Sequence, residues 1–280
     1  LDVREHFSFF NPKAGLFWQI NPNHSTYASF SVAQKEPTRN NYTDGMFDEH
    51  PTAEKLLDYE LGYTYRNTWL SAGANFYYMD YKDQLVLTGE LNEIGEAMAR
   101  NVPDSYRMGV ELMLGVKPCQ WFQWDINGTL SKNRVKNFTE KLYEDEWKNP
   151  VEVSHGNTPI AFSPDLILNN RFSFSYRGFE AALQSQYVSK QYMSNARQAD
   201  QTLNAYFVSN LNLAYTFKLP HVKSVTAGFT IYNLFNAEYE NNGYAGSGYK
   251  IVKGEVERYN YAGYAAQAGT NVMGNISIRF

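Results

Sequence analysis

The 280-residue sequence contains one cysteine, Cys119, and no apolar run long enough to form a membrane-spanning helix. A single cysteine excludes an internal disulfide and any metal site built from several thiolates. A membrane helix needs about 18 or more apolar residues in succession, so that way of crossing a bilayer is excluded as well. The formal net charge of −4 is unlike the basic footprint of a nucleic-acid-binding protein.

The short motifs that mark common catalytic sites are also missing. The sequence contains no nucleophile elbow, no zinc-binding motif and no phosphate-binding loop. Ser154 and His155 are neighbours, but no acid at a recognisable spacing orients them. We therefore expect a protein that is not an enzyme and that uses no cofactor and no bound metal.

Aromatic residues, by contrast, are abundant. There are 22 Tyr and 18 Phe, yet the mean hydropathy is only −0.51. A soluble core with so many aromatic residues usually contains many aliphatic residues too. A membrane β-barrel combines an apolar outer band and aromatic girdles with a polar lumen and polar loops, and it fits both numbers.

The segment 270–280 alternates between apolar and polar side chains almost throughout. One set is Val272, Gly274, Ile276, Ile278 and Phe280, and the other is Asn271, Asn275, Ser277 and Arg279. A period of two indicates a β-strand with one apolar and one wet face. Segments 57–65, 106–116, 179–187, 204–217 and 225–235 repeat the pattern. The charges on their polar faces are typical of strands that line a wet lumen.

Eleven strands are predicted, at about 3–20, 25–36, 54–66, 69–88, 99–117, 120–137, 165–176, 179–192, 204–217, 223–236 and 268–280. Short turns alternate with long loops near 37–53, 90–98, 138–164, 193–203 and 237–267, as in outer-membrane barrels. We predict an all-β, antiparallel transmembrane β-barrel; a soluble sandwich, propeller or solenoid is the alternative. Single-chain bacterial barrels have an even strand number, so eleven strands predict the open second half of a larger barrel.

Several segments together resemble the TonB-dependent outer-membrane receptors. Residues 231–243, IYNLFNAEYENNG, are similar to the family's penultimate strand and the start of its last loop, and the ending GTNVMGNISIRF resembles its closing strand. Near the start, FNPKAGLFWQINPNHSTYASFSVAQKEPTRNNY resembles a mid-barrel hairpin. LLDYELGYTYR and VPDSYRMGVELMLGVKP resemble the barrel strands that follow.

The resemblance implies that residues 1–280 form the C-terminal part of a 22-stranded, plugged barrel, with the plug domain and the TonB box absent from this chain. The implied function is TonB-dependent uptake of a scarce nutrient, such as a ferric siderophore, haem or cobalamin, across the bacterial outer membrane. A passive porin or a structural barrel segment is the alternative. The implied partners are outer-membrane lipid and lipopolysaccharide, the N-terminal barrel half and plug, the TonB complex and the barrel-assembly machinery. A surface lipoprotein is a further candidate partner, and nucleic acid is not expected.

Two long loops contain the side chains that we expect to contact the ligand. In loop 237–267 they are Tyr239, Tyr244, Tyr249, Arg258, Tyr259 and Tyr261, because Tyr and Arg give amphipathic contacts at low entropic cost. In loop 37–53, which the family resemblance favours, they are Arg39, Asn41 and Tyr42. The alternatives are a girdle or loop-on-loop packing for the first loop, and a solvated loop for the second.

Charged residues on the polar strand faces are predicted to face the lumen and the plug. They are Glu60, Arg66, Arg107, Glu111 and Glu180. A charge on the lipid face costs about 2–4 kcal/mol near the midplane, whereas a wet lumen tolerates it, and solvation alone is the alternative role. The family resemblance implies that Phe280 is the terminal aromatic signal for barrel assembly, and it can be a girdle residue at the same time.

Overall fold

The computed structural model describes residues 3–43, 50–144 and 148–280, and within these ranges eleven strands form the wall of one antiparallel sheet. They are β1 (Lys13–Asn21), β2 (His24–Lys35), β3 (Glu54–Arg66), β4 (Leu70–Leu91), β5 (Ala97–Cys119), β6 (Phe122–Glu144), β8 (Leu166–Tyr176), β9 (Phe179–Val188), β12 (Tyr206–Phe217), β13 (Ser224–Tyr232) and β16 (Asn271–Arg279). The connections contain β7 (Lys148–Pro159), β10 (Gln191–Tyr192), β11 (Thr202–Leu203), β14 (Glu240–Val252), β15 (Glu255–Ala266) and the helix α1 (Arg39–Thr43).

The wall strands neighbour one another in chain order, and each is antiparallel to the next. The predicted series of eleven antiparallel strands is confirmed. In the described part of the chain, β1 pairs only with β2 and β16 only with β13, so the sheet has two open edges. No helix in the described ranges is long and apolar enough to cross a membrane.

The registers place the apolar set of each wall strand on one face of the sheet. Ile276 and Ile278 of β16, for example, lie opposite Ala227 and Val225 of β13. This outward face is strongly exposed, with Ile276 at 74%. Exposed aliphatic residues in a continuous row are expected of a wall that meets lipid rather than water.

The connections differ between the two ends of the sheet. At the turn end, neighbouring strands are joined by residues 22–23, 67–69, 120–121, 177–178 and 218–223. At the loop end, four of the five connections are longer and contain α1, β7, β10, β11, β14 and β15, whereas β4 and β5 are joined by the short turn 92–96. The predicted alternation of short turns and long loops is therefore confirmed except at 90–98, where β4 and β5 extend into the predicted loop. In outer-membrane barrels the longer connections are extracellular.

The structure corrects the sequence prediction in two places. β1 begins at Lys13 rather than near residue 3, because Pro12, just before the first paired residue, lacks the amide N–H that a strand ladder requires. The connections predicted as loops at 138–164, 193–203 and 237–267 contain strands. β4, β5 and β6 consequently extend farther toward the loop end than predicted.

Most of the buried apolar side chains lie at the loop end. One cluster consists of Val86, Val102, Val135 and Ile160, with Phe138 packed against it, and the second consists of Met193, Leu203 and Ala245, with Phe162 and Ala262 packed against it. Full burial of one such aliphatic side chain contributes about 1.5–3 kcal/mol. These clusters hold the long connections against the ends of β4–β6, and we call this assembly of β7, β10, β11, β14 and β15 the loop cap.

Candidate functional site

The connection between β13 and β16 folds into the β14–β15 hairpin, which contains most of the predicted ligand residues. Its turn consists of Lys253 and Gly254, with φ of 53° and 88°, between the paired residues Val252 and Glu255. Two consecutive positive φ angles fit the two-residue type I′ turn, whose twist matches antiparallel strands. Side chains then alternate between the two faces of the hairpin.

One face of the hairpin packs against the lumen side of the wall at the loop end. Ala245 is fully buried in the cluster with Met193 and Leu203. Tyr249 is 3% exposed, and its hydroxyl donates a hydrogen bond to the carbonyl oxygen of Asn149 at 2.5 Å. Of the predicted ligand residues, Tyr249 is thus enclosed within the loop cap.

Arg258 joins the same face of the hairpin to the wall. Its Nη1 donates to Glu140 Oε2 at 2.6 Å, and its Nη2 donates to Glu140 Oε1 at 2.8 Å. His155 Nε2 lies 2.8 Å from Glu140 Oε2, and Arg258 Nη2 also donates to Ser247 Oγ at 2.8 Å. A two-point guanidinium–carboxylate pair fixes orientation as well as distance, so Glu140 sets how the hairpin lies on the wall.

Gln201, which is fully buried, connects the hairpin to the segment between β10 and β11. Its Nε2 donates to the carbonyl oxygen of Gly246 at 2.6 Å, and its Oε1 accepts a hydrogen bond from Ser194 Oγ at 2.7 Å. Sequence reasoning missed Gln201, because nothing in its local sequence distinguishes it from a loop residue. Its importance comes entirely from contacts with distant parts of the chain.

The other face of the hairpin presents tyrosine rings toward the barrel axis, because its opposite face covers the wall. The registers pair Tyr244 with Gly263, Tyr261 with Gly246, and Tyr259 with Gly248. Each ring lies over its glycine, where a Cβ atom would collide with the ring. Tyr244 and Tyr261 remain 42% and 46% exposed, and Lys250 Nζ lies 5.2 Å from the centroid of Tyr259. We call these three rings the tyrosine face.

Tyr239, the remaining predicted residue of this loop, lies at the base of the hairpin. Its ring stacks on that of Tyr206, with centroids 4.6 Å apart. The six predicted residues therefore separate into three on the tyrosine face and three that pack within the protein. At alternate positions on this face, β14 carries Tyr244, Gly246 and Gly248, and β15 carries Tyr259, Tyr261 and Gly263. This spacing is the sequence signal for the first group.

A cavity of about 370 Å³ lies between the hairpin and the wall. Its lining includes Glu90, Arg100, Glu140 and Ser247. Burial raises the pKa of Glu90; Arg100, whose Nη2 lies 4.0 Å from Glu90 Oε2, opposes this rise, and Glu140 adds to it. Burial also raises the pKa of Tyr261, and the charge of Glu90 adds to that rise. The cavity therefore favours a neutral Glu90.

The second predicted ligand loop lies beside the tip of the β4–β5 hairpin. Asn40 Nδ2 donates to Glu96 Oε2 at 2.8 Å. Asn41 Oδ1 accepts hydrogen bonds from the backbone and hydroxyl of Thr38, and the hydroxyl of Tyr42 donates to Glu5 at 3.0 Å. Arg39 is exposed, and residues 44–49 of the predicted loop lie outside the described ranges.

Two of the predicted lumen charges meet in one network. The hydroxyl of Tyr27 lies 3.2 Å from Glu60 Oε2 and 3.0 Å from Asn75 Oδ1, and Asn75 Nδ2 donates to Glu111 Oε2 at 3.4 Å. The registers place Glu60, Asn75 and Glu111 on the face opposite the apolar set. The network crosses β2 to β5 in the interior of the curved sheet.

The other three lumen candidates lie elsewhere on the inner face. Arg107 Nη1 donates to Ser163 Oγ at 3.1 Å, which links the wall to the connection between β7 and β8. Arg66 and Glu180 lie at the turn end, beside the turns that join their strands to the next. The five charges therefore do not form one site. Among the described residues, no three His, Cys, Asp or Glu side chains are close enough together to hold a metal ion.

Comparison with known proteins identifies several similar barrels. A family model described as TonB dependent receptor-like, beta-barrel, matches residues 1–234. The pesticin receptor of Yersinia enterocolitica is 25% identical over 206 residues, which are 72% of this chain and 27% of that receptor. The structure of the ferric yersiniabactin uptake receptor FyuA from Yersinia pestis is 20% identical with a TM-score of 0.67, over 96% of this chain and 37% of that chain. The copper transporter OprC is 17% identical with a TM-score of 0.67, over 96% and 39%. The chain thus spans well under half the length of these relatives.

Proposed function

Because the chain belongs to the TonB-dependent receptor β-barrel family, we propose that it supplies wall strands and ligand loops to a receptor that imports a ferric chelate. The observation that carries this proposal is the family match over residues 1–234. Members of the family are outer-membrane proteins and not enzymes, and the same holds for this chain. Membership favours an energy-coupled receptor over a passive porin or a structural barrel segment.

The ferric-chelate proposal is supported by the relatives described above. One is a receptor for ferric yersiniabactin and another is a pesticin receptor. OprC, by its description, transports copper, so a copper species is the second candidate cargo. Haem and cobalamin, which the family resemblance also allows, have no support from these relatives.

We propose the tyrosine face as the main ligand-contacting surface of this chain. Tyr244, Tyr259 and Tyr261 face the barrel axis, and two of the rings are more than two-fifths exposed. Planar aromatic groups of a chelate can stack on such rings, at about 0.5–1.5 kcal/mol for each pair beyond area burial. Tyr249, Arg258 and Tyr239 hold the hairpin in position, and Arg39, Asn41 and Tyr42 remain a secondary candidate surface.

The two open sheet edges support the proposal that further strands complete the barrel. An unpaired edge strand leaves backbone N–H and C=O groups without partners, which a lipid-embedded sheet does not tolerate. We propose the N-terminal barrel half and its plug as the partners of this wall, with Glu60, Glu111 and Arg107 facing the plug. The TonB complex and the barrel-assembly machinery acting on Phe280 are proposed on the family resemblance alone.

The test is an uptake assay with the intact receptor in cells that lack other copies of it. We expect growth under iron limitation on at least one ferric siderophore from a panel of catecholates, phenolates and hydroxamates, and loss of that growth when TonB is deleted. Haem, cobalamin and a copper chelate belong in the same panel. Copper uptake without iron uptake would show that the cargo is a copper species and not a ferric chelate. Uptake that persists without TonB would overturn the receptor proposal.

A further inference from the structure

The cavity between the hairpin and the wall is separate from the tyrosine face. It lies on the wall side of the β14–β15 hairpin, where Ser247 forms part of its lining, whereas the tyrosine face lies on the opposite side. Its volume of about 370 Å³ falls in the range of about 300–1,000 Å³ that is usual for small-molecule pockets. A molecule in this cavity would contact both the hairpin and the ends of β4–β6.

Part of the cavity lining is apolar. Val86, Val102 and Val135 come from the buried cluster at the ends of β4–β6, and Phe138 packs against that cluster. Ala196, from the segment between β10 and β11, completes this part of the lining. Because burial of apolar surface is favourable, such a lining suits a ligand with an apolar body better than a bare ion.

Two ionisable side chains of the lining lack hydrogen bonds. Arg100 Nη2 is enclosed and has no hydrogen-bond partner among the described residues, since Glu90 Oε2 lies 4.0 Å away. No described residue donates a hydrogen bond to the carboxyl group of Glu90. The side chains of Arg100 and Glu90 are only 23% and 17% exposed. Buried polar groups are nearly always hydrogen-bonded in native proteins, so we expect a partner for each of them.

The charges around the cavity limit what this partner can be. The lining contains the cations Arg100 and Lys141 and the carboxyl groups of Glu90, Glu140 and Glu152. Glu140 is already held by the hairpin. Three carboxyl groups oppose a multiply charged anion such as phosphate, because like charges repel. The spacing of the described side chains does not provide a metal site either. One negative charge beside Arg100 is the arrangement that the lining allows.

We propose that this cavity is an accessory binding site for a small monocarboxylate with an apolar body, about the size of benzoate. After a small rotation, the guanidinium of Arg100 donates to one carboxylate oxygen, and Glu90 in its neutral form donates its O–H to the other. The apolar body packs against Val86, Val102 and Val135. Hydrogen bonds between a guanidinium and a carboxylate are charge-assisted and therefore strong. The proposal does not depend on the cargo of the receptor, since the tyrosine face takes no part in it.

The experiment measures binding of 4-fluorobenzoate to the intact receptor in detergent at neutral pH, by fluorine NMR. The matched probe is 4-fluorobenzamide, which has nearly the same shape but no negative charge, and detergent without receptor gives the background for both. The test variant is Arg100→Gln. The matched control is Arg171→Gln, which makes the same charge change at an exposed position outside the cavity. Heat modifiability reports barrel assembly for each variant.

We expect the unmodified receptor and Arg171→Gln to bind 4-fluorobenzoate roughly tenfold or more tightly than 4-fluorobenzamide, and Arg100→Gln to lose this preference. Saturating 4-fluorobenzoate should slow hydrogen exchange of β14 and β15, because a ligand that binds only the docked hairpin stabilises it. Equal binding of the two probes to the unmodified receptor, or equal loss in both variants, would overturn the proposal. If Arg100→Gln fails to assemble, the comparison of the two probes on the unmodified receptor still decides.

The variant Glu90→Gln tests the role of the second side chain. A glutamine amide donates an N–H where the neutral carboxyl donates an O–H, so affinity for 4-fluorobenzoate should stay within about threefold of the unmodified value. A ligand that required an ionised Glu90, such as an amine or an amino acid, would instead bind much more weakly to this variant. A tenfold loss of 4-fluorobenzoate binding in Glu90→Gln would therefore contradict the assigned geometry.

Discussion

Glu140 is the residue on which the position of the β14–β15 hairpin depends most directly. It accepts two hydrogen bonds from Arg258, 118 positions away in sequence, and lies 2.8 Å from a ring nitrogen of His155. The side chains of Glu140 and Arg258 are 13% and 23% exposed, so solvent screens the pair only in part. Such a contact favours one orientation of the hairpin, because few other arrangements satisfy both carboxylate oxygens.

Replacing Arg258 with Lys should loosen the hairpin, although the charge is kept. A lysine is a point donor and does not reproduce the two-point geometry, so the free energy of undocking should fall by about 1–3 kcal/mol. Hydrogen exchange of β14 and β15 in the intact receptor measures this change. Arg171→Lys is the matched control, since Arg171 lies exposed on the lumen face and its Nε donates to Ser173. Unchanged exchange in Arg258→Lys would contradict the role assigned to the pair.

The buried carboxyl of Glu90 predicts a pH dependence of the loop cap. Because its pKa is raised above the usual value of 4.5, the folded cap binds more protons than the unfolded chain in the window above that value. The free energy of unfolding should therefore fall as the pH rises through this window. Glu90→Gln removes the titration, so hydrogen exchange of β14–β15, followed from about pH 4 to 8, should depend less on pH than in the unmodified protein. Parallel pH profiles for the two proteins would show that Glu90 is not the group responsible.

At the scale of the element, the hairpin shows how a period-two register assigns separate tasks to neighbouring residues. Ser247, Tyr249 and Arg258 point to the wall, whereas Tyr259 and Tyr261 lie over glycines on the opposite face. The rings lie flat because glycine leaves the space that a Cβ would occupy. Tyr and Gly thus act as pairs, and the shape of the tyrosine face depends on both members.

Gly246→Ala should displace the ring of Tyr261 and weaken binding of an aromatic ferric chelate, on the proposed function above. A loss of roughly threefold to tenfold in affinity corresponds to one displaced aromatic contact of about 0.5–1.5 kcal/mol. Gly274→Ala is the matched control, since an added Cβ there meets open space apart from one oxygen at 3.9 Å. Affinity is measured by titration of the intact receptor with the chelate that supports growth. Normal affinity in Gly246→Ala would remove Tyr261 from the binding surface.

Sequence periodicity predicted the wall strands well and the loop cap poorly, for a physical reason. In the wall, one face meets lipid and the other water, so the alternation of Leu57 to Tyr65 or Tyr106 to Val116 is visible without any knowledge of partners. In the loop cap, both faces contact protein or solvent, and polar residues such as Gln201 are buried against distant backbone. The Lys253–Gly254 turn could have been predicted from the sequence. The strands beside it were not predicted, because their polar and glycine residues obscure the apolar–polar alternation.

At the largest scale, the described residues form a curved sheet with two edges that have no partner among them, and a cap at one end. β1 and β16 each use one side of their backbone for pairing, and the cap spans several wall strands without joining these edges. Such a sheet exposes two templates for pairing with other chains. The arrangement is stable in a membrane only when additional strands pair with both edges.

Residues 1–280 expressed alone should therefore fail to give a closed, protease-resistant barrel in detergent. We expect aggregation, or a species whose electrophoretic mobility does not change on heating. The comparison is the intact receptor under the same refolding conditions, assayed by heat-dependent mobility and by trypsin resistance. A heat-modifiable, protease-resistant monomer formed by the 280 residues alone would show that β1 and β16 pair with each other.

The separation of the two hairpin faces has a consequence for how such a receptor could change its cargo. Ser247 and Arg258 determine where the hairpin lies, and the side chains of Tyr244, Tyr259 and Tyr261 make none of the hydrogen bonds of that network. On the proposed function, substitutions confined to these three side chains would therefore alter the chemistry presented to a ligand while the hairpin keeps its position. Adaptation to a new chelate would then need few mutations, because a change of these side chains does not disturb the contacts that hold the hairpin.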